Sequence, residues 1–396
     1  MASPSLCHPR ILLKQFSIPM LRRLFAQRQE LLELPWDYLR DKKQTAPIYA
    51  AWQQLPEDRR REFQIAFHEI AEAATEVGIA ALVRELEHVA PNQSWQVKAC
   101  RTRLNKSLWF YLEFPELFCR ATMFARADSL AAGRFAIRRQ DLPRTPIEVT
   151  PAMTAALAEA LRQFYWPTQM RGHYCHVEHM RRHDGDDYFF AYLDDWPDKR
   201  LAFGNNGQLR LHSARFAFSV LFVYSAADGL LELVATGGES IHFPLQQAFC
   251  KSLLGIDLEP ANRHRPVYQL QQLLDPAFTY PTASEDCINR VQLKSIRWKP
   301  LGEIRKLRAT VQEFEFPICR SEWLELIQRG LAGYGVMPTQ AVVEGATFRI
   351  TLFRDGRPRT LEFTIVLPSR CTVRTKSDEL IAVGKRCLKQ WGIVHV

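Results

Sequence analysis

Gly172-His-Tyr-Cys-His-Val-Glu-His-Met-Arg-Arg-His-Asp-Gly-Asp-Asp-Tyr-Phe-Phe-Ala-Tyr192 is the stretch in which the chain changes period. Tyr174, His176, Glu178 and Met180 alternate with Cys175, Val177 and His179. That period of two belongs to a strand, because successive side chains point to opposite faces. Asp184-Gly185 then separates this run from the apolar run 188–192. Asp-Gly between two such runs predicts a hairpin, since both residues tolerate positive φ.

Working outward, a second hairpin is expected from 216–224 to 230–234 across Ala227-Asp228-Gly229, followed by a helix over 244–254. Beyond a proline-rich polar stretch at 257–284, the pattern predicts strands near 291–298 and 307–314 and a short helix opening at Ser321-Glu322-Trp323. A third hairpin, 346–353 to 360–367, turns at Asp355-Gly356, and a last helix runs from about Ser377 to Gly392. Upstream of Gly172 the chain reads as helix from about 17 to 165. Pro19 suits a first turn, where no intrahelical N–H is needed. Phe63, Phe67, Ile70, Ala74, Val77 and Ala81 recur at spacings of four and three, which predicts one helix over 56–89. Further helices are expected over 95–132 and 151–165. The fold class is therefore α+β: a helical domain (1–165), an antiparallel sheet plus helix, ββββα (166–260), and a ββαββα unit (261–396).

Composition narrows the class. An apolar fraction of 47% with 24% charged residues is that of an ordinary globular chain. No apolar run approaches the roughly 20 residues of a membrane span, so no membrane is expected as partner. Nine cysteines without a CxxC pair fit free thiols in a reducing compartment, and a cytoplasmic location is expected. Residues 1–29 lack acids and carry five basic residues, a composition shared with targeting presequences. The apolar pattern of Leu21, Leu24, Phe25, Leu31 and Leu32 continues into Glu30 and Glu33, as in a core helix.

The motifs of common chemistries are missing: no phosphate loop, no G-x-S-x-G elbow, and no Pro-Cys-x-x-Cys to complete the His176-Val-Glu178 half of a zinc deaminase signature. No catalytic residue and no cofactor is nominated. His173 and Cys175 share one strand face about 6.7 Å apart and are weak candidates for a metal site. Asp184, Asp186, Asp187, Asp194 and Asp195 crowd the first hairpin, where they suit tight turns as readily as a cation.

The remaining signal is charge. The net charge is +9, and arginine supplies 39 of the 52 basic residues. It is divided as +6 over 1–145, −3 over 146–265 and +6 over 266–396. The densest cationic stretch is Arg290, Lys294, Arg297, Trp298 and Lys299, continuing to Arg305, Lys306 and Arg308. Arg349, Arg357 and Arg359 join it on the third hairpin, and Arg101, Arg103 and Lys106 stand in the helical third. Arginine forks onto phosphate and stacks on bases, and Trp298 would add a stacking ring. The expectation is a non-catalytic nucleic-acid-binding protein, an accessory part of a bacterial DNA-processing or phage-defence assembly. The alternatives are an enzyme centred on the His/Cys/Asp hairpin 173–195 and a scaffold that binds another protein through the helical domain.

Overall fold

The computed structural model describes residues 8–39, 45–133, 135–204, 207–258, 267–275, 277–300, 341–354, 356–367, 370–373, 376 and 378–394. Among these lie eleven α-helices and two antiparallel sheets, of five and four strands, so the fold is α+β with a helical N-terminal region. The expected strand 307–314 and the helix at Ser321 fall outside the described residues. No described helix is long and apolar enough to cross a membrane. The chain divides into two compact units, residues 1–129 with 375–378, and residues 130–374 with 379–396.

The first unit is built from α1 (Pro9–Gln15), α2 (Ile18–Gln27), α3 (Ala46–Gln53), α4 (Glu57–Ala73), α5 (Glu76–Val89), α6 (Ser94–Ala99), α7 (Arg103–Glu113) and most of α8 (Pro115–Ala131). Its core is aromatic: Phe16, Phe25, Phe63 and Phe67 are fully buried, and the rings of Phe25 and Phe63 lie 4.5 Å apart. The helix expected over 56–89 is two helices. Thr75 is extended and its hydroxyl accepts the Gly78 N–H at 2.9 Å, so a new helix is capped there and the first one ends. A Cβ at Gly78 would meet the Ala73 carbonyl oxygen at 2.2 Å, which explains the glycine directly after the break. Pro19 does sit in the first turn of α2, but the backbone N–H of Ser17 is satisfied from afar, by Asn105 Oδ1 at 2.9 Å.

The second unit begins with a strand that the sequence pattern did not reveal. β1 (Ala136–Arg139) pairs antiparallel with β5 (Leu230–Val234), completing the order β1-β5-β4-β3-β2 with β2 (Cys175–Arg181), β3 (Asp187–Phe203) and β4 (Leu209–Ser225). Phe189, Ala191, Leu193, Val220, Phe222, Tyr224, Leu231 and Leu233 face α9 (Pro151–Gln169) and α10 (Glu239–Phe249), which contribute Leu157, Leu161, Tyr165, Leu245 and Phe249. The second sheet, β6 (Ile288–Pro300), β7 (Ala341–Arg354), β8 (Arg357–Val366) and β9 (Arg370–Cys371), closes over Val383, Cys387 and Leu388 of α11 (Asp378–Gln390).

All three expected hairpins form. Their glycines differ in what they hold. Gly185 has φ +92° and open space around it, whereas Gly229 has φ +61° and lies 2.6 Å, measured from a built Cβ, from the Leu142 carbonyl oxygen. Gly229→Ala is therefore expected to cost about 2 kcal/mol or more, and Gly185→Ala about 1 kcal/mol. Denaturant melts of the two variants check the order; equal losses would contradict it.

Candidate nucleic-acid interface

The C-terminal cations among the described residues lie on and beside the polar face of the four-stranded sheet. Along β7, Ala346, Phe348, Ile350 and Leu352 turn inward, so Arg349 turns outward with Glu362 opposite it on β8. Glu362 accepts from Arg349 Nε at 2.9 Å and from Lys294 Nζ at 3.1 Å. Burial alone would raise its carboxyl pKa, but these two donors hold it below the ordinary range. Arg359 is engaged by Glu379 at 2.8 Å. Arg297 and Arg357 are exposed and Arg290 is half-buried. Trp298 does not stack in solvent: a bulge between Leu293 and Ser295 shifts the alternation of β6, so that Ile296 and Trp298 turn inward, and Trp298 is 2% exposed in the core. The side chain of Lys299, and Arg305, Lys306 and Arg308, lie outside the described residues. In the helical unit, Arg101 and Arg103 are exposed and Lys106 half-buried around the start of α7, whose first turn holds no acid.

The His/Cys hairpin is assembled differently from a metal site. β2 starts at Cys175, so His173 precedes the strand and packs its ring 5.0 Å from Trp166 and 4.8 Å from Tyr174. Cys175 faces the core side, and burial pushes its thiol up to about 12. Among the described residues no three His, Cys, Asp or Glu side chains gather to hold a metal ion.

The hairpin carboxylates are structural anchors. Asp187, with a side chain only 1% exposed, receives both Nε and Nη2 of Arg181 at 2.8 and 3.1 Å, and His179 Nε2 lies 2.7 Å away. Burial opposes ionisation there, yet the His179 and Arg181 hydrogen bonds win and the carboxyl pKa lies below its ordinary value. Asp194 accepts the Tyr174 N–H at 2.7 Å and Arg215 Nη1 at 3.1 Å. Asp195 accepts from Arg171 at 3.0 Å and from the Trp196 N–H at 2.9 Å. Asp184 accepts the Asp186 N–H at 3.2 Å in the turn.

Asp187→Asn is expected to cost about 2 kcal/mol, a figure reduced because Arg181 stays within reach of water. A carboxyl with a lowered folded pKa stabilises fully above its unfolded value, about 3.9, and loses that contribution as pH falls through the folded value. The gap between wild type and Asp187→Asn should thus be constant at neutral pH and close below about pH 4. Melting temperatures measured across pH would refute this if the gap persisted in acid.

The feature that the sequence reading missed is the length of β3 and β4. β2 pairs with β3 only over 187–193, and β5 with β4 only over 221–225. From Pro197↔Arg215 to Phe203↔Leu209, seven residue pairs continue as a two-stranded ribbon with no third strand on either edge among the described residues. At about 3.3 Å per residue the ribbon extends for roughly 20 Å. It begins at a bulge between Asp194 and Pro197. Lys199, Leu201, Phe203, Leu209, Leu211 and Arg215 share one of its faces, and Arg200, Arg210 and His212 the other. Every one of these side chains is exposed, Phe203 at 75% and Leu201 at 68%.

Four cations on the ribbon stand against one acid within it, Asp198, and Arg215 at its foot also meets Asp194 at 3.1 Å. Arg200 meets Asp198 at 2.7 Å and lies 4.1 Å over the Phe216 ring. Its exposed ion pair is worth little in water and leaves the guanidinium exchangeable. Arg210 bonds only the neutral Gln208, and Lys199 faces no carboxylate among the described residues. The signal was present in the sequence as alternation on both sides of Gly204-Asn-Asn-Gly207. No known family model matches the chain, and no curated protein is significantly similar to it.

Proposed function

We propose that the protein binds nucleic acid and does so without catalysing a reaction, with the β3–β4 ribbon as its principal contact. The observation that carries this reading is a free ribbon bearing Lys199, Arg200, Arg210 and Arg215 in solvent. Among the described residues, Lys199 and Arg210 meet phosphates without first leaving a carboxylate, Arg200 gives up only an exposed ion pair, and Arg215 exchanges Asp194 for the phosphate; released counterions supply the affinity. Leu201, Phe203, Leu209 and Leu211 at its outer end supply apolar contact to sugars and bases, as wedges on groove-binding ribbons do. The exposed Arg297 and Arg357 of the second sheet offer a further phosphate track. The engagement of Asp187, Asp194 and Asp195 by their own neighbours supports a non-catalytic role for the hairpin. The reading places the protein in the cytoplasm, in keeping with the free buried thiols of Cys250, Cys371 and Cys387.

Fluorescence anisotropy with a labelled oligonucleotide tests it. The association constant should fall on the order of 10²-fold between about 50 and 200 mM salt. No binding, or binding indifferent to salt, would overturn the proposal.

A further inference from the structure

At the foot of the ribbon, on the face that carries Lys199 and Arg215, lies a groove of about 450 Å³. Arg162, His173, Tyr174, His176, Tyr192, Asp194 and Arg215 contribute to its lining. Its volume falls within the range of about 300–1,000 Å³ typical of sites for small molecules, enough for one nucleotide. The chain is led into it by two left-handed residues after α9, Met170 and Gly172. Gly172 donates its N–H to the Asp194 carbonyl at 2.8 Å, and a Cβ there would strike Tyr165 at 2.9 Å. Asp194 then pins Tyr174 from both sides: its carboxylate takes the Tyr174 N–H, and its own N–H donates to the Tyr174 carbonyl at 3.2 Å. A backbone held this firmly presents a tyrosine that is nonetheless 69% exposed. Trp166, 42% exposed, and His173 extend the aromatic surface behind it.

We infer that this groove seats one unpaired base of a single-stranded nucleic acid, stacked on Tyr174, while its phosphates run over Arg215 and Lys199 onto the ribbon. The inference rests on the nucleic-acid reading above and narrows it to a substrate class. Charge complementarity favours a polyanion, since Arg162 and Arg215 line the groove with one acid, Asp194, which Arg215 meets at 3.1 Å, and the exposed Arg162–Glu159 pair is weak in water. The aromatic rim selects an exposed base face, which a single strand offers and a stacked duplex withholds. Arg215 and Lys199 lie two residue pairs apart on the same ribbon face, about 6.7 Å along it, so an extended backbone can follow both. The His/Cys segment that suggests a metal site in sequence thus serves as the wall of a base-binding groove.

The test compares labelled 20-nucleotide oligo-dT with a 20-base-pair duplex, using the full chain, its Tyr174→Ala variant and its Tyr174→Phe variant. Wild type should prefer the single strand by about tenfold or more. Tyr174→Ala should lose about tenfold on the single strand with duplex affinity unchanged, and Tyr174→Phe should restore it, because a phenyl ring still stacks. Equal affinity of wild type for both probes, or single-strand affinity of Tyr174→Ala within twofold of wild type, would overturn the groove while leaving the ribbon reading intact. Absence of binding to either probe by wild type would remove both.

Discussion

Glu232→Gln is expected to destabilise the second unit by about 3–5 kcal/mol. Glu232 on β5 sits directly opposite Arg138 on β1 in the antiparallel register, and their side chains are only 2% and 6% exposed. Arg138 also donates to the Tyr268 hydroxyl, and the Tyr268 ring belongs to the core of the four-stranded sheet. One buried guanidinium therefore ties the two sheets of this unit together. Burial pushes the phenol of Tyr268 and the neighbouring thiol of Cys371 upward, so both stay neutral and the charge balance rests on Glu232. Neutralising the carboxylate removes the charge opposite Arg138 and leaves its desolvated guanidinium less well balanced. The double variant Arg138→Met/Glu232→Leu should recover most of the loss, because apolar side chains of similar volume need no charge partner. Denaturant midpoints decide it: a Glu232→Gln loss below about 1 kcal/mol would contradict the account.

The turns of this fold were legible, and the extents of its elements were not. Asp184-Gly185, Ala227-Asp228-Gly229 and Asp355-Gly356 each announce a hairpin, since the positive φ seen at Gly185, Gly229 and Gly356 is a backbone state few residues tolerate. The break at Thr75 was hidden because apolar periodicity runs on through Ala74 and Val77, while a single hydroxyl ends one helix and starts another. β1 was hidden because four residues, two of them arginine, show no alternation, and burial of Arg138 depends on a glutamate 94 positions away. Trp298 was misplaced because a bulge between Leu293 and Ser295 reverses the faces of β6 upstream of it.

Charge misled for a physical reason. The middle of the chain sums to −3, which draws attention to the basic segments on either side. The sum is blind to burial: Asp187 and Glu232 are nearly inaccessible, and Asp194 and Asp195 are tied to backbone donors and arginines. The cations of the same segment, Lys199, Arg200, Arg210 and Arg215, are all exposed, and only Arg200 and Arg215 of them meet a carboxylate among the described residues. A region acidic in composition thus presents a basic ribbon. Conversely, Lys294, Arg349 and Arg359 belong to a basic region in which each is bound to a glutamate.

Replacing Lys199, Arg200, Arg210 and Arg215 together by glutamine is accordingly expected to weaken nucleic-acid binding on the order of 10²-fold at low salt. All four are exposed, so the fold should survive the replacement, with loss of the Arg215–Asp194 ion pair as its main cost, about 1–2 kcal/mol. The triple replacement of Arg101, Arg103 and Lys106, or the pair Arg290 and Arg297, should cost less, since neither set stands on a free ribbon. If either of those variants abolished binding while the ribbon variant bound normally, the interface would lie elsewhere.

The most direct measurement is the slope of log K against log salt for wild type and the quadruple ribbon variant on the same single-stranded probe. Each lost phosphate contact should flatten the slope by about 0.7, so the variant should be shallower by about 2–3 in total. Identical slopes and affinities for the two proteins would contradict the assignment of the ribbon as the interface.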